Sequence, residues 1–168
     1  TAPAGIGPRL LVGVGLLLLV LQITTGAWNS ATLSGMACPD LPTCFGHWWP
    51  DVDYAQGFAV WRGLLDNQPV LLNLTERVAV NWVHRVGGVS LVLWLTVIGL
   101  LLSSGRYGKS ASRSGSVINV LACAQLAVAV LALKLRMPVI GTLAHAALAA
   151  GLWLHLLRAA QQLAHVPV

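Results

Sequence analysis

Thr75-Glu-Arg-Val-Ala-Val-Asn-Trp-Val-His84-Arg-Val-Gly-Gly-Val-Ser90 decides the fold, because it opens an apolar segment that continues to about Leu102. A segment of that length crosses a bilayer as a helix, so His84 and Arg85 stand side by side inside a membrane span. Ionisable groups at that depth are costly and usually functional. Gly87 and Gly88 follow and remove side chains beside the histidine, which leaves room for a bulky group against the backbone. His84 is thus a candidate ligand of a buried cofactor, with Arg85 and Gly88 as candidate neighbours.

The composition agrees with a membrane protein. Of 168 residues, 57% are hydrophobic and only 9% charged, and the mean hydropathy is +0.76. Soluble domains carry about a quarter charged residues. No initiator methionine is present, so Thr1 reads as a trimmed start. Leu10 to Ile23 has the length of a signal-peptide core. No small-residue cleavage motif follows it, and the apolar run extends toward Trp28, so it reads as a true span. Four apolar segments stand out, at about 9–28, 77–104, 115–134 and 138–158. Lipid cannot satisfy backbone polar groups, so each is a helix. The expected fold is all-α, one integral membrane four-helix bundle over residues 1–168 with a long outer loop over 29–74. Asn73 and Glu76 have capping-box spacing ahead of the second span. Pro138 suits the first turn of the fourth. Ser103 to Ser116, rich in Ser and Gly, reads as a loop.

Charge sets the expected topology. Arg9, Arg106, Lys109, Arg113 and Arg158 fall on one side of such a bundle, which should be cytoplasmic. All five acidic residues, Asp40, Asp51, Asp53, Asp66 and Glu76, fall on the other. Lys134 and Arg136 break the bias in the short turn between the third and fourth spans. A multi-pass protein of the inner (plasma) membrane follows, with both termini cytoplasmic. The net charge of +5 reflects this topology. No clustered basic face with interleaved aromatics points to nucleic acid.

The outer loop contains Cys38-Pro-Asp-Leu-Pro-Thr-Cys44. An extracytoplasmic compartment permits a disulfide, and the pair reads either as a staple for the loop or as a redox-active pair facing a thiol partner. A metal site is the weakest reading, since His47 is the one further ligand nearby. Cys123, in mid-helix, reads as packing. The loop also carries Phe45-Gly-His-Trp-Trp-Pro50 and Ala55-Gln-Gly-Phe-Ala-Val-Trp-Arg62. The second run puts Phe58, Trp61 and Leu65 on one helical face. One or two amphipathic helices lying on the outer surface are expected, either anchoring the loop among interfacial tryptophans or covering a hydrophobic cofactor. His47 reads as a surface histidine.

The remaining histidines can be placed by depth. Counted from Arg77 and from Pro138, His84 and His145 both lie about seven residues in, roughly 10 Å at 1.5 Å per residue. Helical bundles hold cofactors between facing side chains, and imidazole is an axial ligand of heme iron. Gly141, Ala144, Ala146, Ala147, Ala149, Ala150 and Gly151 surround His145 with small residues. That surface suits a flat macrocycle, and equally close helix packing. Heme ligation, hydrogen-bonded packing and another metal all remain open on spacing alone. His155 reads as structural, and His165 as a solvated tail residue.

Gly26-Ala-Trp-Asn-Ser-Ala-Thr-Leu-Ser-Gly35-Met-Ala-Cys-Pro-Asp-Leu-Pro-Thr-Cys44, with Trp48-Trp-Pro, Ala55-Gln-Gly-Phe and Trp82-Val-His-Arg85, resembles the heme A synthase family. That resemblance implies two similar four-helix halves, each with one histidine on its second helix and one on its fourth. His84 and His145 match those positions, and Cys38 and Cys44 match the family's outer-loop pair. The implied activity is oxidation of a methyl group of heme O to a formyl group, giving heme A for terminal oxidases. One half holds the substrate heme and the other a heme b.

Two features depart from the family pattern. This chain has the length of one half, which implies a second four-helix half, either another copy or a separate chain. The catalytic half of the family carries a glutamate three residues before the second-helix histidine, where this chain has Asn81. Asn81 shares a helical face with His84, but an amide cannot act as a carboxylate base. Glu76, about two turns away, is the nearest carboxylate. Two functions are therefore expected: one half of a heme A-forming oxidoreductase, or a non-catalytic heme-binding subunit for electron transfer or assembly in a respiratory complex.

Overall fold

A computed structural model describes residues 5–61 and 71–164. Its elements are α1 (Ile6–Ala31), α2 (Tyr54–Gly57), α3 (Leu74–Ser103), α4 (Lys109–Lys134) and α5 (Val139–Ala164). Among the described residues there is no strand, only an isolated bridge between Cys44 and His47. The four long helices are each long and apolar enough to cross a membrane. The fold is all-α, and the chain is a multi-pass membrane protein. It packs as two compact units: residues up to Gln22 with Gly88 onward, and Ile23–Gly87.

The first unit holds the larger core, with Val12, Leu19, Leu95, Ile98, Leu102, Ile118, Leu152, Leu156 and Leu163 fully buried. Small residues let its helices approach closely. A Cβ on Gly115 of α4 would stand 2.6 Å from the Gly99 carbonyl oxygen of α3 and 2.7 Å from Leu102 Cβ. Gly99 is in turn covered by the Asn119 side chain. On α1, Gly15 leaves space for Ile98 and Trp94, and the Trp94 indole donates to the Leu11 carbonyl at 3.1 Å. Arg9 Nε donates to Leu163 O at 3.2 Å, and Gln162 Nε2 to Ser110 Oγ at 2.7 Å.

Helix α4 begins at Lys109, inside the Ser- and Gly-rich stretch expected to be loop. Ser and Gly are weak helix formers. Here Ala111, Ser114 and Gly115 are buried, and tertiary packing outweighs propensity. The connection shrinks to residues 104–108. Between α4 and α5 the chain reverses through Arg136 and Met137, both at positive φ. Met137 N donates to Ala132 O at 2.7 Å and Arg136 N to Leu133 O at 3.1 Å. These are the two bonds of a Schellman motif, with arginine where glycine is usual. Pro138 precedes α5 by one residue and acts as its cap, its carbonyl accepting from Gly141 N and Thr142 N. Cys123 is exposed on α4, so it does not fill the core as expected.

The α3–α4 contact yields a paired prediction. Gly115→Ala should lower stability by about 1–3 kcal/mol, because the new methyl meets backbone. Gly13→Ala, exposed and with nothing within 4 Å of its Cβ, should be neutral or stabilising by up to about 1 kcal/mol. Thermal unfolding in detergent measures both, and equal melting of the Gly115 variant and the parent would contradict the close contact.

Candidate functional site

The sequence opening α3 first makes a helix start. Glu76 N donates to Asn73 Oδ1, and Asn73 N to Glu76 Oε2, each at 3.0 Å. This is the reciprocal capping box the spacing predicts. Glu76 is buried, and its carboxylate is engaged in the cap. The same onset moves the helix origin: His84 falls in the third turn of α3 and His145 in the second of α5. Counting from Arg77 and Pro138 therefore does not carry over as matched turns, because α3 starts before Arg77.

The polar side chains of α3 from Arg77 to Arg85 meet protein within the Ile23–Gly87 unit. His84 Nδ1 lies 3.2 Å from Thr25 Oγ1 of α1. The Cε1 corner of its ring rests against Gly26, where a Cβ would come within 2.9 Å. Asn81 is 3% exposed. Its Nδ2 donates to Asn29 Oδ1 at 3.3 Å and to Gly35 O at 3.1 Å, while its Oδ1 is buried without a partner. It ties α3 to the end of α1 and the chain just beyond. Arg77 donates to the Leu33 carbonyl.

Arg85 holds the cysteine loop. Cys38 and Cys44 form a disulfide, and both are fully buried. The Arg85 guanidinium donates to the carbonyls of Cys38 at 2.5 Å, Asp40 at 2.7 Å and Thr43 at 3.3 Å. Its planar fork suits several acceptors at once. From the solvent side Asp40 closes the same loop, accepting from Thr43 Oγ1 at 2.5 Å, Phe45 N at 2.6 Å and Gly46 N at 2.9 Å. The Thr43 hydroxyl above all, then the Gly46 and Phe45 amides, hold the Asp40 carboxyl down to about 2. Beneath the disulfide lie Ala37, Val78 and Trp82, and Trp49 meets Trp82 edge to face at 6.4 Å.

The rest of the loop is only partly as expected. Trp28 Nε1 donates to Gly57 O at 2.8 Å. Helix α2 is a single turn, capped by Asp53 accepting from Gln56 N at 2.9 Å. Phe58 and Trp61 follow it; Arg62, Leu65 and Asp66 lie outside the described residues, as does His165. Phe45, Trp48, Trp49 and Trp61 are exposed. So is His47, bridged to Cys44 through its backbone.

In the other unit, His145 Nε2 lies 3.1 Å from Gln125 Nε2 of α4. His145 Nδ1 is buried with no partner, as is Gln125 Oε1. Each candidate histidine is thus half-buried in a span with one ring nitrogen beside a polar side chain. Thr25, Gly26, Gln125 and Asp40 were missed on sequence alone. An isolated glutamine inside an apolar helix, and the Asp-x-x-Thr spacing of residues 40–43, were the available signals.

Comparison with known proteins adds the family. The model for the cytochrome oxidase assembly protein family matches residues 2–157. The chain belongs to this family. A heme A synthase of Shewanella oneidensis is 30% identical over 77 residues, covering 45% of this chain and 23% of that relative. The match therefore spans about a quarter of the curated relative's length. No solved structure matches. Family membership links the chain to cytochrome oxidase assembly.

Two predictions concern the clamped loop of this family member. Arg85→Lys keeps the charge but loses the fork. Charge-assisted hydrogen bonds contribute about 1.5–3 kcal/mol, so a water-soluble phosphine should reduce Cys38–Cys44 at least about tenfold faster. An unchanged rate would mean that Arg85 does not hold the ring. The second is a pH dependence. Asp40 has a depressed folded pKa, so its stabilisation is complete above the ordinary carboxylate range and is lost as pH falls through about 2. The same reduction assay should therefore accelerate between about pH 4 and pH 2, and Asp40→Asn should flatten that dependence.

Proposed function

We infer that this chain is a heme-binding part of a heme A synthase-type oxidoreductase, in which His84 and His145 are the residues that would bind heme iron. The observation that carries this is the family match, which spans both histidines within residues 2–157. The donor chemistry fits. Both imidazoles sit in spanning helices, and His145 keeps a buried ring nitrogen without a protein partner. A bound heme, whether heme b or heme O/A, supplies an iron centre that takes up and passes on electrons. In the membrane, Arg9, Arg106, Lys109, Arg113 and Arg158 face the cytoplasm with both termini, and the disulfide loop faces outward. The exposed tryptophans lie at the lipid interface. A second four-helix half completes the enzyme, and a terminal oxidase receives the product.

A second reading, a non-catalytic heme-binding subunit for electron transfer or assembly, is favoured by Asn81. Its amide is committed to Asn29 and Gly35, and the Glu76 carboxylate closes a helix cap. Neither stands ready as a base. The purified chain should show a low-spin, bis-histidine heme spectrum. His84→Ala and His145→Ala should each lose heme or convert it to high spin; wild-type spectra from both variants would refute the ligand assignment. Given heme O and an electron donor, the chain alone should make no heme A. Product formed by the chain alone would overturn the need for a second half.

A further inference from the structure

A histidine inside an apolar helix can present either ring nitrogen, and something must choose. His84 is held at two points on α1. Thr25 Oγ1 lies 3.2 Å from Nδ1, and Gly26 leaves space for the ring, with its absent Cβ 2.9 Å from Cε1 and 3.6 Å from each nitrogen. A hydrogen bond at one imidazole nitrogen fixes the tautomer and sets which nitrogen a metal meets. A threonine hydroxyl accepts as well as donates, and in a helix it can give its own proton to a carbonyl one turn back. The glycine is an independent observation: any larger residue there would displace the ring that the hydroxyl orients.

Resting on the reading of His84 as a heme ligand, we propose that Thr25 is a positioning residue, accepting a hydrogen bond from His84 Nδ1–H so that Nε2 is the nitrogen offered to iron. Gly26 provides the seat that sets the plane of the ring. Such outer contacts raise the basicity of a ligating imidazole, and losing one typically weakens metal affinity by about 10–100-fold. Thr25→Ser keeps the hydroxyl, whereas Thr25→Val keeps the shape and removes it.

Two measurements test this on the full-length chain. In heme-free protein, nitrogen NMR of labelled histidine should show His84 protonated at Nδ1 in the parent and in Thr25→Ser, with that preference lost in Thr25→Val. A parent protonated at Nε2, or a valine variant with the parental tautomer, would overturn the proposal whether or not heme binds. In heme-loaded protein, Thr25→Val should release heme about tenfold more readily and show a more positive midpoint potential, and Thr25→Ser should restore both. Identical potentials and heme retention in all three proteins would also overturn it. A parent that takes up no heme would instead count against the ligand assignment itself. Because that outcome leaves the tautomer result standing, the two failures are distinguishable.

Discussion

Lipid offers no hydrogen-bond partner to an amide, an imidazole or a guanidinium, so a polar group in these helices is costly unless it finds one in protein. That constraint organises the first turns of α3. Asn81, His84 and Arg85 each reach a different acceptor or donor: the end of α1, the Thr25 hydroxyl, and the carbonyls of the cysteine ring. The loop is shaped by the same need. A half-buried guanidinium requires several carbonyls at one spacing, and the ring between Cys38 and Cys44 supplies them. Asp40 then satisfies the amides on the far side of that ring.

The other unit meets the constraint differently. Its helices satisfy their backbones internally and associate through small residues, Gly99 against Gly115 and Gly15 against Ile98. In membranes, close approach of backbones replaces much of the hydrophobic drive that assembles soluble bundles. Polar contacts in this unit include long-range ones, Arg9 to Leu163 and Gln162 to Ser110. In the Gln125–His145 pair, Gln125 Oε1 and His145 Nδ1 are buried without partners.

Much of the fold was legible because apolar length and caps are local signals. The four spans, the capping box at Asn73 and Glu76, and the helix-starting role of Pro138 follow from neighbours within one turn. The start of α4 was not legible: Ser112, Ser114 and Gly115 read as loop until α3 is packed against them. Within the site, the sequence marked His84, Arg85 and Asn81 as residues that needed explaining, but not where they point. The direction of Arg85 depends on carbonyls more than forty residues away in sequence. The seat of His84 depends on a glycine whose significance appears only when α1 lies alongside. Arg77 is the expected helix start, and the capping box puts it at Leu74.

The small span of the disulfide ring has its own consequence. Cysteines six positions apart enclose so little chain that cross-linking them removes little freedom from the unfolded state, about 2 kcal/mol by loop entropy against nearly 5 for a hundred-residue loop. The bond is better understood as a template than as a tether. It holds carbonyl dipoles in an arc around a cation that the bilayer would otherwise reject. Exchanging the cysteines for serines would therefore disturb the solvation of a charge in α3 more than the compactness of the loop.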